Sequence, residues 1–302
     1  MIFQNPEEVE QRLAEADYVC SREIATVVFL AAATDKPVLV EGPAGVGKTE
    51  LAKAVATVTG CKLIRLQCYE GLDESKALYE WEYAKQLLYS QIVKEKIKDT
   101  LAEAVTLSEA VDLIAAQEDA FFSERFILPR PLLQAIRSPE PVVLLIDEVD
   151  KSDPEFEAFL LELLSDFQVS IPELGTWKAD RIPLIFLTSN NYRDMSDALK
   201  RRCLHLYIDY PPRDQEMRIV ETRLPGIDRR LVEKLVDTIG RIRELDLKKR
   251  PCISETLDWA RSLVALQARD LSPEVVASTL NVICKYRSDT EMVRRSMDQL
   301  MD

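Results

Sequence analysis

The chain has little histidine and no paired cysteine motif, and each shortage excludes something; its 8 glycines are few enough that a glycine-rich motif seldom arises by chance. Its single histidine, His205, and its six cysteines, Cys20, Cys61, Cys68, Cys203, Cys252 and Cys284, supply no CxxC pair and no zinc-ligand spacing. Free thiols in a reducing, cytoplasmic setting are the expectation. No segment reaches the roughly 18 uninterrupted apolar residues of a membrane helix, and the opening MIFQNPEEVEQRL has neither a basic start nor an apolar run. These features predict a protein that is neither exported nor membrane-spanning. A basic surface is lacking too: 39 basic against 52 acidic residues leave a formal charge of -13, which repels a phosphate backbone and makes nucleic acid a poor expectation as substrate. Internal repeats and low-complexity stretches are absent. What remains is 302 residues with 47% hydrophobic and 30% charged side chains, the balance of an ordered protein with room for two cores.

The first half alternates short apolar runs with helical stretches, which predicts a mostly parallel sheet covered on both faces. The strand candidates are Val38 to Glu41, Leu63 to Gln67, Val142 to Ile146, Leu184 to Thr188 and Leu204 to Asp209. Between the second and third lies Glu70 to Ser138, a polar and helical stretch too long for a simple crossover. Its charged run KEKIKDTLAEAVTLSEAVDLIAAQEDAFF predicts an extra surface helix, with Lys94 to Glu103 as a solvated face. The paired prolines of YPPRD then stop the last strand. Beyond them the period is helical over Arg213 to Arg223, Asp228 to Arg243, Ser254 to Arg269 and Ser272 to Tyr286. The expected division is an α/β domain over 1–210 and a helical domain over 211–302.

The strongest chemical signal is Val38 to Ala52, which runs from a strand through GPAGVGKT into an amphipathic helix and matches the phosphate-binding pattern GxxxxGK(S/T) in the context it requires. Gly42, Gly45 and Gly47, with Pro43, Ala44 and Val46 between them, let backbone N–H groups converge on phosphate oxygens at the positive end of the helix. Lys48 supplies a charge to the β- and γ-phosphates, the Thr49 hydroxyl ligates Mg2+, and Glu50 follows in the first helical turn. ATP and Mg2+ are the expected cofactors. The second element, VVLLIDE, ends a buried strand in two carboxylates at the edge where open α/β sheets hold ligands. Asp147 would hold the metal through water and Glu148 would orient and deprotonate the attacking water. In the third, LIFLTSNN, Asn190 reaches both γ-phosphate and water if its strand lies between the other two; otherwise it is a turn asparagine. The fourth, ALKRRC, puts Arg201 and Arg202 at a helix end, where basic charge also complements the dipole.

These four elements in this order resemble the AAA+ superfamily of P-loop NTPases, and their details resemble its MoxR branch. FILPRPLLQAI, DFQVSIPELGTWKADRIPLIFLTSNN and ALKRRCLHLYIDYPPRDQE are similar to CoxD-like proteins, the MoxR-type ATPases associated with maturation of carbon monoxide dehydrogenase. The resemblance implies an AAA+ parallel sheet with helices on both faces, plus a C-terminal helical lid. It assigns Asn190 to the sensor 1 position and Arg202, or its neighbour Arg201, to an arginine finger that acts on the next subunit. A homo-oligomeric ring, typically a hexamer, follows from that. It also implies a protein client, with a von Willebrand factor A domain protein as companion, and a pre-sensor 1 hairpin over Val169 to Arg181. There Trp177 and Glu173 either point to a central pore or belong to a covered edge hairpin. The pattern departs at the lid arginine called sensor 2, where this chain has Glu255 or Thr256, with Arg250 and Arg261 only nearby.

Three functions compete on these residues. The first is a chaperone-like ATPase that remodels a client, with metal-centre insertion into a molybdenum hydroxylase as one form. The second is a nucleic-acid or defence motor, and the third a scaffold that binds ATP and hardly hydrolyses it. Other residues have plainer expected roles: His205 as a hydrogen-bonded strand residue, Cys61 and Cys68 as small packing groups, and Tyr79, Trp81 and Tyr83 as aromatics packed on their own domain or as a partner patch.

Overall fold

The structure, a computed structural model, describes residues 2–89, 91, 124–171 and 174–301. The predicted surface helix over 94–122 and Glu173 lie outside the described residues.

Five parallel strands form the central sheet: β1 (Val38–Glu41), β2 (Lys62–Gln67), β5 (Val142–Asp147), β8 (Leu184–Ser189) and β9 (Leu204–Tyr207), in the order β2-β5-β8-β1-β9. Val, Ile, Leu and Phe fill β1, β5 and β8 at every position up to their polar ends, as strands covered on both faces require. The two faces bury alternate residues of the same strands. Val38, Val40, Val143, Leu145 and Phe186 pack against α1 (Pro6–Glu15), α2 (Arg22–Thr34) and α3 (Lys48–Thr59). On the other face Leu39, Leu144, Ile146, Ile185 and Leu187 pack against α4 (Glu74–Ala77), α5 (Pro131–Ile136), α6 (Pro154–Asp166) and α7 (Asp197–Arg202).

A third hydrophobic cluster is built wholly from residues 217–300, around the buried Trp259. Its helices are α8 (Arg213–Arg223), α9 (Arg229–Glu244), α10 (Ile253–Ala265), α11 (Pro273–Ile283), α12 (Arg287–Arg295) and α13 (Met297–Met301). The last two were not expected; α12 is strongly amphipathic but short, and charged residues dominate it. In its interior Arg243 forks onto Glu216 at 2.6 and 2.8 Å, and Thr256 donates to the same carboxylate at 2.7 Å.

Several boundaries differ from the sequence reading. The last strand ends at Tyr207 rather than Asp209, and the third helical stretch ends at Ala265 rather than Arg269. The stretch after Glu70 contains two short strands that sequence pattern missed, β3 (Tyr79–Trp81) and β4 (Ile127–Pro129), paired antiparallel. Three residues each are too few to show a period, and their partners lie about 50 residues apart. Tyr79 and Trp81 pack on the domain core whereas Tyr83 is exposed. The hairpin β6 (Gln168–Ile171) and β7 (Gly175–Lys178) carries Trp177 against the core with the Arg137 guanidinium 4.4 Å above its ring. That tryptophan packs within its own chain. Among the described residues no helix is long and apolar enough to cross a membrane.

Candidate functional site

The sheet order puts β8 between β1 and β5, so the loop after β1 and the ends of β5 and β8 open on one side of the sheet. The loop Gly42 to Gly47 turns at positive φ at three glycines, +143°, +77° and +99°, a region that side chains with a Cβ rarely enter. At Gly45 a Cβ would lie 2.0 Å from the Cys252 Sγ, so the start of α10 rests directly on this loop. Lys48 opens α3 and folds its buried ammonium back onto the Gly42 and Pro43 carbonyls, at 2.7 Å each. Two of its three N–H donors are thereby used, leaving one for an anion. Burial pulls its pKa down to about 8, against the opposing pull of the Asp150, Asp147 and Glu148 carboxylates.

Asp147 is only 3% exposed and stands at the end of β5. Its Oδ1 accepts from the Thr49 hydroxyl at 3.0 Å and from the Thr188 hydroxyl at 2.5 Å. Its Oδ2 accepts from Arg65, with Nε at 3.0 Å. Glu148 adopts a left-handed backbone, φ 56°, which a non-glycine residue takes at a cost of about 1 kcal/mol. Its N–H is fixed by donating to Thr188 at 2.9 Å. The Glu148 carboxylate accepts from Gln67 at 2.9 Å, Lys151 at 2.6 Å and the Asn190 amide at 3.3 Å. Asn190 is in turn anchored by its own N–H, which donates to the buried Asp150 at 3.0 Å, as does that of Tyr192 at 2.8 Å.

Lys48, Thr49, Asp147, Glu148 and Asn190 thus line one cavity of about 290 Å3 together with Ala44, Gly45, Gly47 and Glu50. A second cavity of about 590 Å3 adjoins it, sharing Gly45, Gly47, Glu50 and Ser254, and is walled by Tyr18, Val46, Tyr210 and the α10 residues Leu257 and Arg261. The two form a trough with a polar end, where Lys48, Lys53 and Arg65 face Glu50, Asp147 and Glu148, and a more apolar end, which suits a nucleotide whose phosphates come with a cation. The hydroxyl of Thr49 and the carboxylate of Asp147 are hard oxygen donors of the kind Mg2+ takes. Glu50 pairs with Lys53 at 2.7 Å and with Arg223 of α8 at 3.5 Å.

Arg201 and Arg202 line neither cavity. Arg201 is exposed, and Arg202 donates to the Ala198 carbonyl at 2.9 Å and to Ser165 of α6. Glu255 caps α10, and Thr256 belongs to the Arg243–Glu216 network. Neither lines the smaller cavity, whereas Ser254 does. His205 pairs with Glu41 at 2.6 Å, on the strand next to the loop. Sequence reasoning missed Arg65, Gln67, Thr188 and Asp150. The alternation in KLIRLQ does put Arg65 and Gln67 on one face of β2, but only the pairing of Gln67 with Asp147 shows which carboxylates they meet.

No curated protein matches the chain. Among solved structures, a proline-to-glycine mutant of Thermotoga maritima RuvB aligns at 16% identity over 93% of this chain and 71% of that one, with a TM-score of 0.48. The Thermotoga maritima RuvB Holliday junction branch migration motor aligns at 17% identity over 91% and 68%, with a TM-score of 0.46. The family described as AAA domain (dynein-related subfamily) matches residues 37–203, more than half of the chain and the span that carries the loop, both carboxylates, Asn190 and the arginine pair. The chain belongs to this dynein-related subfamily of AAA domains.

Proposed function

We propose that the protein is a cytosolic, MoxR-type AAA+ ATPase that works as a homo-oligomeric ring, a hexamer, and remodels a protein client, with metal-centre maturation as one form of that work. The observation that carries the reading is the convergence of Lys48, Thr49, Asp147, Glu148 and Asn190 on one cavity. Lys48 binds the β- and γ-phosphates with the N–H groups of the glycine loop. Thr49 and Asp147 hold Mg2+, which when bound neutralises phosphate charge and orients the phosphoryl group for in-line attack. Glu148 takes the proton of the attacking water, and the Asn190 amide, already in contact with Glu148, orients that water. Residues 211–302 act as a lid over the adenosine end. Six unpaired cysteines suit a reducing cytosol.

Arg202, with Arg201 beside it, is the finger for a neighbouring subunit. Its position outside the chain's own cavity supports a role in trans, as do the segments that resemble CoxD-like proteins, which also favour a von Willebrand factor A domain companion. Steady-state ATP turnover tests the reading. Turnover per subunit should rise with protein concentration, and an Arg202→Ala variant mixed with Lys48→Ala should regain activity through interfaces that pair an intact loop with an intact finger. Concentration-independent turnover by a monomer would rule out the ring. Turnover raised by DNA or RNA would favour a nucleic-acid motor, and no turnover under any condition would favour a nucleotide-dependent scaffold.

A further inference from the structure

We propose that Arg65 is an internal stand-in for the divalent cation: it neutralises Asp147 while no metal is bound and yields that carboxylate when Mg2+ arrives. The inference rests on reading the cavity as a Mg-ATP site. A carboxylate offers about four acceptor positions, and the partners of Asp147 take all of them. Thr49 and Thr188 take Oδ1, and two N–H groups of Arg65 take Oδ2. An arriving cation, or the water through which Asp147 would hold it, must therefore displace a partner. Thr188 is buried inside the sheet and also holds the backbone of Glu148, so its loss would unmake the strained turn. Thr49 is itself a metal donor. Arg65 alone stands on a side chain 46% exposed, at the edge of the cavity it lines with Lys48.

A carboxylate this buried needs a counter-charge, because an unpaired one loses hydration without compensation. Arg65 supplies it from the same chain, and its Nη2 also donates to Gln67 at 2.6 Å, which fixes the Gln67 amide with its N–H toward Glu148. When the guanidinium leaves Asp147, Gln67 remains as its second acceptor. Arg65 is a positioning residue rather than a catalytic one in this account. Its effect should be largest where metal is scarce, since the anionic nucleotide then meets Asp147 either neutralised or bare.

The test is the metal dependence of binding for a ribose-labelled fluorescent ATP analogue, measured in excess EDTA and in excess Mg2+. In Arg65→Met the ratio of Kd in EDTA to Kd in Mg2+ should rise about tenfold or more over wild type, because losing one charge-assisted contact is worth about that factor. Affinity in saturating Mg2+ should stay within about threefold, since the cation then holds Asp147. Arg65→Lys, which keeps the charge, should restore the ratio. Should Arg65→Met fail to fold, Arg65→Gln, which retains a hydrogen-bond donor, carries the same expectation. Equal weakening in EDTA and Mg2+, or an unchanged ratio, overturns the role of Arg65. Absence of Lys48-dependent ATP binding in the wild type overturns the Mg-ATP reading itself, and with it this inference.

Discussion

Raising the pH above neutrality should weaken ATP binding through Lys48. Burial holds this ammonium at a pKa of about 8, well below the ordinary lysine value of 10.5. Bound phosphates favour the charged form and raise the pKa again, so the free protein must take up a proton to bind once the pH has passed about 8. For a group with pKa about 8 that must be protonated in the complex, Kd rises about twofold by pH 8 and about tenfold by pH 9, relative to pH 7. Any remaining ionisation of the ATP phosphates over that range adds negative charge and would tighten binding to a cation, so a loss of affinity belongs to the protein.

The effect on stability has the opposite sign. Between about 8 and 10.5 the unfolded chain keeps the lysine proton that the folded chain has lost, so this group adds stability to the nucleotide-free protein as pH rises through that window. Fluorescence titration with labelled ATP at several pH values measures the first effect, and thermal unfolding without nucleotide measures the second. A Lys48→Arg variant that still binds ATP should show a flat profile, because its guanidinium stays protonated throughout. Wild-type affinity that is constant from about pH 7 to about 9.5 would refute the argument, since no proton would then be linked to binding.

Glu148→Gln should retain ATP affinity and lose at least about a hundredfold in turnover, because the amide keeps the shape of the carboxylate but accepts no proton; single-turnover hydrolysis with labelled ATP checks this. Gly45→Ala should weaken ATP binding and lower the melting temperature, since the added methyl group meets the Cys252 Sγ at 2.0 Å on a backbone with φ +77°. Adding Cys252→Ala should recover only part of that loss, leaving a backbone cost of about 1 kcal/mol; a Gly45→Ala loss that Cys252→Ala does not reduce would mean that α10 does not rest on the loop in solution. In the helical C-terminal region, Arg243→Ala should destabilise by about 3–5 kcal/mol in denaturant unfolding, because it leaves Glu216 buried without its counter-charge.

The phosphate loop, the two carboxylates, the five sheet strands and the helical character of the last third were legible in the sequence because each is local. A glycine-rich turn between a strand and a helix, an apolar run ending in Asp-Glu, and a 3.6-residue period are all written over consecutive residues. Asn190 was legible only conditionally, and the condition was met by strand order: β8 lies between β1 and β5, which brings its amide to Glu148. Arg65 and Gln67 were unreadable as site residues because they meet Asp147 and Glu148 across more than 80 positions of chain. The packing of Trp177 on the domain core under the Arg137 guanidinium was not legible either, because that contact joins residues distant in the chain. Composition and spacing thus determined which chemical groups the protein owns and on which elements they ride. Strand order and the docking of α10 on Gly45 decided which groups share a cavity, because long-range pairing is set by the burial of whole faces rather than by any short stretch of residues.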